Sequence, residues 1–237
     1  AVEVLRQFKG FSYFTEMSDI INRLEDHVAS ARMKTTPVID FEKNESLKGL
    51  DYLDTIYHAI VNEHPIQLKY RSFKARSANS FIFYPYLLKE YRNRWFVYGV
   101  RGNGRILQNL ALDRIQSLEV LPQEHYIKNT FFDPNTFFDD LVGVTKNTGS
   151  VAEKVGFKVA AAEAPYIITK PIHRSQQVME RLADGSVILE IEVVINHELE
   201  RVFFGYAEGI QVLYPKTLVE LMGRKLKKAA EQYTHSK

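Results

Sequence analysis

The chain has 237 residues, 45% hydrophobic and 25% charged, enough to bury one large or two modest cores without covalent staples. It contains no cysteine, which excludes disulfides and thiolate metal sites and fits a cytoplasmic setting; no apolar run approaches the ~20 residues of a membrane helix and no secretory leader opens it, so no membrane partner is expected. Net charge is +2, spread as −4 over residues 1–64, +7 over 65–130 and −1 over 131–237, a basic middle third of the kind that attracts anions.

The sequence begins at Ala1 rather than a methionine, and a further segment upstream is expected. Phe14, Met17, Ile20, Ile21, Leu24 and Val28 recur at helical spacing and predict an amphipathic helix over 11–31. A second helix follows Ser46, with Leu50, Leu53, Ile56, Tyr57, Ile60 and Val61 on one face, and Pro65 ends it. The period then changes. "IQLKYRSF" (66–73) alternates as a half-buried strand does. "NSFIFYPYLLKEY" (79–91) is rich in strand formers, with Pro85 marking an edge or a bend. "RWFVYGV" (94–100) is apolar on both faces, and Asn103-Gly104 supplies a hairpin turn. "RILQNLALDRI" (105–115) runs out again and "QSLEVL" (116–121) makes a last strand. Five short strands without a covering helix predict a small barrel.

Residues 123–150 read as a linker with a short helix around Phe137–Leu141. Beyond it come a strand over 153–160, a short helix near 161–168, a hairpin over 175–194 turning at Asp184-Gly185, a helix over 197–207, a strand over 210–215 and a closing helix over 216–233. The order βαββαβ is the ferredoxin-like pattern. The expected fold class is therefore α+β: a helical connector (1–64), a small β-barrel (65–122), a linker (123–150) and a ferredoxin-like domain with a closing helix (151–237).

Several chemistries are absent. No Walker loop appears, and Gly102-Asn103-Gly104 lacks the third glycine of a dinucleotide fingerprint. There is no Gly-x-Ser-x-Gly elbow. His197-Glu198 lacks the second histidine of a zinc protease, the seven histidines are scattered, and Asp139-Asp140 reads as a helix end rather than a metal site. No cofactor, no metal and no enzymatic activity are expected.

What remains is basic and aromatic. Tyr70 and Arg71 end the first barrel strand, Arg94, Trp95, Arg101 and Arg105 surround the central hairpin, Gln108 lies on the return strand and Arg114 at its end. Guanidinium groups fork onto phosphates and aromatic faces stack bases. The competing reading makes Trp95 and Tyr70 core residues and has Arg114 hold a turn through Asp113. Two other functions compete with anion binding. One is a protein-interaction or dimerisation module without an anionic ligand. The other is an enzyme acting on nucleic acid, whose acid or base would come from Glu90, Asp113, Glu119, Glu124 or His125.

The pieces "IQLKY" (66–70), "FIFYPYLL" (81–88), "NRWFVYGV" (93–100) and "LALDRI" (110–115) resemble the WYL-domain family of bacterial transcription regulators, whose Trp-Tyr-Leu triplet is here Trp95-Phe96-Val97. "ITKPIHRSQQ" (168–177), the hairpin after it, "FFGYAEGIQVLYP" (203–215) and the final helix resemble that family's C-terminal WCX extension, so the likeness spans roughly residues 50–235. The resemblance implies an Sm-like or SH3-like barrel that binds a nucleic-acid fragment or nucleotide-like anion, an extension that helps dimerisation, and an upstream winged helix-turn-helix that binds promoter DNA. The expected partners are thus nucleic acid and a second copy of the chain. This chain departs from the family pattern at three positions: Gln108 and Ala111 stand where arginines are usual, and Phe96 where a tyrosine is. Arg101 and Arg105 are the neighbouring arginines that would compensate.

Overall fold

The computed structural model describes residues 48–102 and 106–234. The helix expected over 11–31, the Asn103-Gly104 turn and Arg105 lie outside the described residues. The chain divides after Phe131 into two compact units.

In the first unit, helix α1 (Leu53–Val61) precedes strands β1 (Ile66–Tyr70), β2 (Asn79–Tyr91), β3 (Arg94–Arg101), β4 (Leu107–Ala111) and β5 (Ile115–Val120), with a 3-10 turn at Leu112–Arg114 between the last two. All pairings are antiparallel, in the order β4-β3-β2-β1-β5. In β1 the alternation does what the sequence asks: Ile66 and Leu68 are fully buried and Lys69 is exposed. β2 lies inside the sheet, so Pro85, which has no N–H to give, is taken up by a bulge between Pro85 and Leu87. β2 and β3 are joined through Arg92 and Asn93, both left-handed at φ 50° and 58°. The Glu90 carboxylate accepts the Asn93 N–H at 2.5 Å and secures that turn.

Leu53, Ile56 and Ala59 of α1 pack in one cluster with Ile66, Leu68, Phe83, Val97, Leu110, Leu112 and Ile115. The helix before Pro65 therefore shares the core of the strands after it, each large aliphatic contributing about 1.5–3 kcal/mol by burial. Tyr84, Tyr86, Tyr126 and Phe131 form a separate aromatic group, in which the Tyr126 hydroxyl donates to the Pro85 carbonyl. Burial pushes the Tyr86 phenol up to about 12 and raises Tyr126 as well. Both are acids whose folded value lies above the unfolded one. Their contribution to stability is complete below about pH 10, the ordinary tyrosine value, and is lost as pH rises through about 12. A denaturation midpoint that falls over this window, in step with the late appearance of phenolate absorbance, is the expected result; tyrosines all titrating together near pH 10 would contradict it.

The second unit runs β6 (Glu153–Val159), α2 (Ala164–Thr169), β7 (Gln177–Arg181), β8 (Val187–Val193), α3 (His197–Gly205), β9 (Ile210–Tyr214) and α4 (Lys216–Thr234). Its antiparallel sheet has the order β7-β8-β6-β9. Val155, Phe157 and Val159 of β6 and Val187, Leu189, Ile191 and Val193 of β8 point into one core with Ile167, Leu199, Phe203, Leu218 and Met222 of the helices. The β7–β8 connection turns at Gly185 with φ 82°, as Asp184-Gly185 predicts.

The helix expected around Phe137–Leu141 is instead a series of turns over 134–140. The Asp140 carbonyl accepts the Val194 N–H at 2.8 Å and its carboxylate grips Lys146 at 2.8 Å, so its carbonyl is taken by the residue after β8 rather than by a helical N–H. Asn196 is the other anchor of this segment. Its Oδ1 caps α3 by accepting the Leu199 N–H at 2.9 Å, while its Nδ2 donates to the carbonyls of Val142 at 2.9 Å and Thr145 at 3.0 Å. Asn196→Ala removes the cap and leaves two carbonyls short of a donor, so a loss of about 2 kcal/mol is expected. Far-UV circular dichroism in a denaturant series measures it, and a cost under about 0.5 kcal/mol would show the cap to be dispensable.

Candidate functional site

The 3-10 turn Leu112–Arg114 organises one end of the first unit. Leu112 is fully buried and fixes the turn in the core, which sets Asp113 and Arg114 at the margin. Asp113 is shared by two cations: Arg94 Nε stands 3.3 Å from its Oδ2 and Arg114 Nε 3.9 Å from its Oδ1. The Arg114 Nε and Asp113 Oδ1 are buried and without a hydrogen-bond partner among the described residues. The Arg114 side chain is still 26% exposed, so its guanidinium reaches solvent from a partly dry seat. Charge interactions are stronger there than at an open surface.

Tyr70 ends β1 directly beside this turn, paired with Ile115. Burial pushes its phenol up, against the opposing pull of the Arg114 guanidinium and a hydrogen bond with the Ala111 backbone. Arg71 follows, its N–H donating to the Arg114 carbonyl at 3.2 Å. Tyr70, Arg94 and Arg114 are thus brought together around Asp113, with the Arg71 backbone bonded to the same turn and its Nε turned to the Ala75 carbonyl at 3.5 Å.

The other sequence candidates lie elsewhere. Trp95 is half-buried and packs against the core cluster. Gln108 is half-buried on β4, paired with Gly99. Arg101 sits at the opposite end of β3 from Arg94, roughly 20 Å along the strand, with its guanidinium 3.9 Å from the centre of the Phe81 ring. Of the two positions where the family pattern has arginine, Ala111 is buried at 1% exposure and Gln108 lies within the sheet.

Sequence reasoning passed over the loop between β1 and β2. Phe73 there is 74% exposed, and the Arg114 guanidinium lies 4.3 Å from the centre of its ring. Lys74 and Arg76 flank it, both exposed. A readable signal existed: no carboxylate occurs between Ile66 and Lys89, a stretch that holds Lys69, Arg71, Lys74 and Arg76. Gly49 was also missed. It has φ 86°, and a Cβ there would stand 2.5 Å from the Leu112 carbonyl carbon and 2.8 Å from the Asp113 nitrogen. The backbone entering α1 therefore lies directly against the turn that carries Arg114.

The second unit has a cleft of about 450 Å³ lined by Asp139, Asp140, Ala152, Arg174, Ser175 and Glu192. Two of its carboxylates are paired, Asp139 with Arg174 at 2.7 Å and Asp140 with Lys146 at 2.8 Å. Ser175 Oγ meets His173 Nδ1 at 2.7 Å, accepts the Glu192 N–H at 2.8 Å and donates to the Glu192 carbonyl at 3.2 Å. That hydroxyl ties the loop to β8. Among the described residues no group of three or more His, Asp or Glu is placed to hold a metal, and no helix is long and apolar enough to cross a membrane.

Residues 51–120 match the WYL domain and residues 152–230 the WCX domain, together more than half of the chain. The chain belongs to the WYL-domain family. The WYL match covers α1 and all five strands of the first unit, and the WCX match runs from the start of the second sheet into α4. Among solved structures this WYL-domain chain is similar to proteasome accessory factor B/C (PafBC) of Arthrobacter aurescens, with 16% identity, a TM-score of 0.32, and coverage of 81% of this chain and 28% of that one. It is also similar to a CRISPR Cas-related protein, with 12% identity, a TM-score of 0.46, and coverage of 78% and 52%. The chain therefore spans less than a third of the first and about half of the second. No curated protein matches it.

Proposed function

We propose that this WYL-domain chain is the ligand-sensing and assembly region of a bacterial, cytoplasmic transcriptional regulator. In this reading the first unit is a small Sm-like or SH3-like barrel that captures a nucleic-acid fragment or nucleotide-like anion. The second is a ferredoxin-like WCX domain that supports a homodimer, and a DNA-binding domain upstream receives the signal.

The observation that carries the reading is the convergence of Arg71, Arg94, Arg114 and Tyr70 at one turn, beside a loop rich in cations and free of carboxylates. The one acid in the cluster, Asp113, is occupied by Arg94 and Arg114. It orients these cations and, fastened in this way, supports a binding role over general acid–base work. A phosphate arriving at Arg114 competes with Asp113 for the guanidinium and shifts the turn Leu112–Arg114. Gly49 packs against the backbone of that turn, so the shift passes into the chain leading to the upstream domain. Differential affinity of the ligand for two arrangements of this contact drives the response. Titration of the full chain with a short oligothymidylate at two salt concentrations tests the reading. Affinity that falls as salt rises, the mark of released counterions, supports it. Absence of binding would favour the alternative of a protein-interaction module.

A further inference from the structure

Helix α4 outruns the core that seats it. Leu218 and Met222 are buried in the second unit, but from Gly223 to Thr234 every residue is exposed. That is about 18 Å of helix, a little over three turns, and an isolated helix of this length is marginal in water. The buried stripe continues along it. Met222 is followed at steps of four, three and four residues by Leu226, Ala229 and Tyr233, with Leu226 42% and Tyr233 85% exposed. This spacing gives the narrow seam by which one helix packs on another, not the broad apolar face of a helix lying on a membrane. Lys225 is held by the buried Glu200 carboxylate, while Arg224, Lys227 and Lys228 pair with no carboxylate among the described residues. The net charge over 223–234 is +3.

A second α4 laid on this seam would bring like charge against like. The complement occurs elsewhere in the sequence, in the segment 11–31, which lies outside the described residues. Phe14, Met17, Ile21, Leu24 and Val28 follow one another there at steps of three and four, and the net charge is −3. We propose that the exposed half of α4 is the seat of this acidic segment from a second copy of the chain. Leu226 and Tyr233 enter its apolar seam, and Arg224, Lys227 and Lys228 attract its carboxylates. One seam of three turns is small for a stable interface, and a two-fold dimer that exchanges the segment forms it twice. The proposal rests on the homodimer of the reading above and names the surfaces that join the copies.

The test combines sedimentation equilibrium with carbodiimide cross-linking of isotopically light and heavy full chains, mixed dilute and then concentrated so that subunits exchange. The expected products join lysines at 225–228 to carboxylates at 16–26 in mixed light–heavy pairs. Leu226→Asp and Tyr233→Asp are each expected to raise the dimer dissociation constant at least about tenfold, the loss of one buried side chain per copy. Both positions are exposed in the single chain, and far-UV circular dichroism checks that each variant is folded. A dimer unchanged in both variants, cross-links from 11–31 confined to chains of one label, or α4 cross-linked only to other segments overturns the seat and leaves the homodimer standing. A monomeric wild type overturns the two together.

Discussion

Arg114→Ala is expected to weaken oligothymidylate binding by at least about tenfold. A charge-assisted hydrogen bond to phosphate contributes about 1.5–3 kcal/mol, and 1.4 kcal/mol is a factor of ten. Arg114 also holds the Phe73 ring from one side and Asp113 from another, so in the proposed reading its loss removes a phosphate contact and frees the loop between β1 and β2 at once. The logarithmic salt dependence is expected to flatten by about 0.7, the share of one phosphate on a single strand. Arg114→Lys keeps the charge and loses the planar fork and the flat contact with the ring, so an intermediate affinity is expected. Asp113 retains Arg94 at 3.3 Å in either variant, which limits the cost to folding. Isothermal titration at two salt concentrations reads both numbers. An unchanged affinity with an unchanged slope would remove Arg114 from the site.

Gly99→Ala is expected to destabilise the first unit by about 3 kcal/mol, at the upper end of overpacking costs. Gly99 is not needed for a turn. It lies inside β3, where a Cβ would stand 2.2 Å from the Tyr84 carbonyl oxygen and 2.6 Å from Phe83 Cε1. The first obstacle is backbone, fixed by the pairing of β2 with β3 beside the bulge at Pro85, and the second is a fully buried ring of the core. Neither yields without opening the sheet. Trp95 is the sole tryptophan in the chain and sits in this unit, so its fluorescence in a denaturant series follows the unit directly. A shift below about 1 kcal/mol would mean that β2 and β3 separate far more readily than this packing allows.

The strands of both units were legible because burial in a half-covered sheet imposes period two, as in Ile66 and Leu68 or in Val187, Leu189, Ile191 and Val193. The Asp184-Gly185 turn was legible because glycine advertises a left-handed backbone. The turn at Arg92-Asn93 was not, because its left-handed conformation is secured by the Glu90 side chain rather than by a glycine. The helix before Pro65 was legible as a helix but not as a part of the core under the five-stranded sheet, since amphipathicity names a buried face without naming its partner. In the site, a list of arginines was readable and their grouping was not. Arg94 and Arg114 meet only because Asp113, on a 3-10 turn pinned by Leu112, lies between them. The charge of the β1–β2 loop was readable, but the contact of Phe73 with Arg114 was not, since the two stand 41 positions apart in the chain.

In the proposed function the turn carrying Arg114 is an anion site for nucleic acid. Its most direct test is the affinity of a short oligothymidylate for the full chain, compared between wild type and the double variant Arg71→Ala/Arg114→Ala at low and moderate salt. Binding that weakens with salt in the wild type and is lost in the double variant at both salt concentrations is the expected result. Binding of equal strength in the two proteins, or none in the wild type, would contradict it.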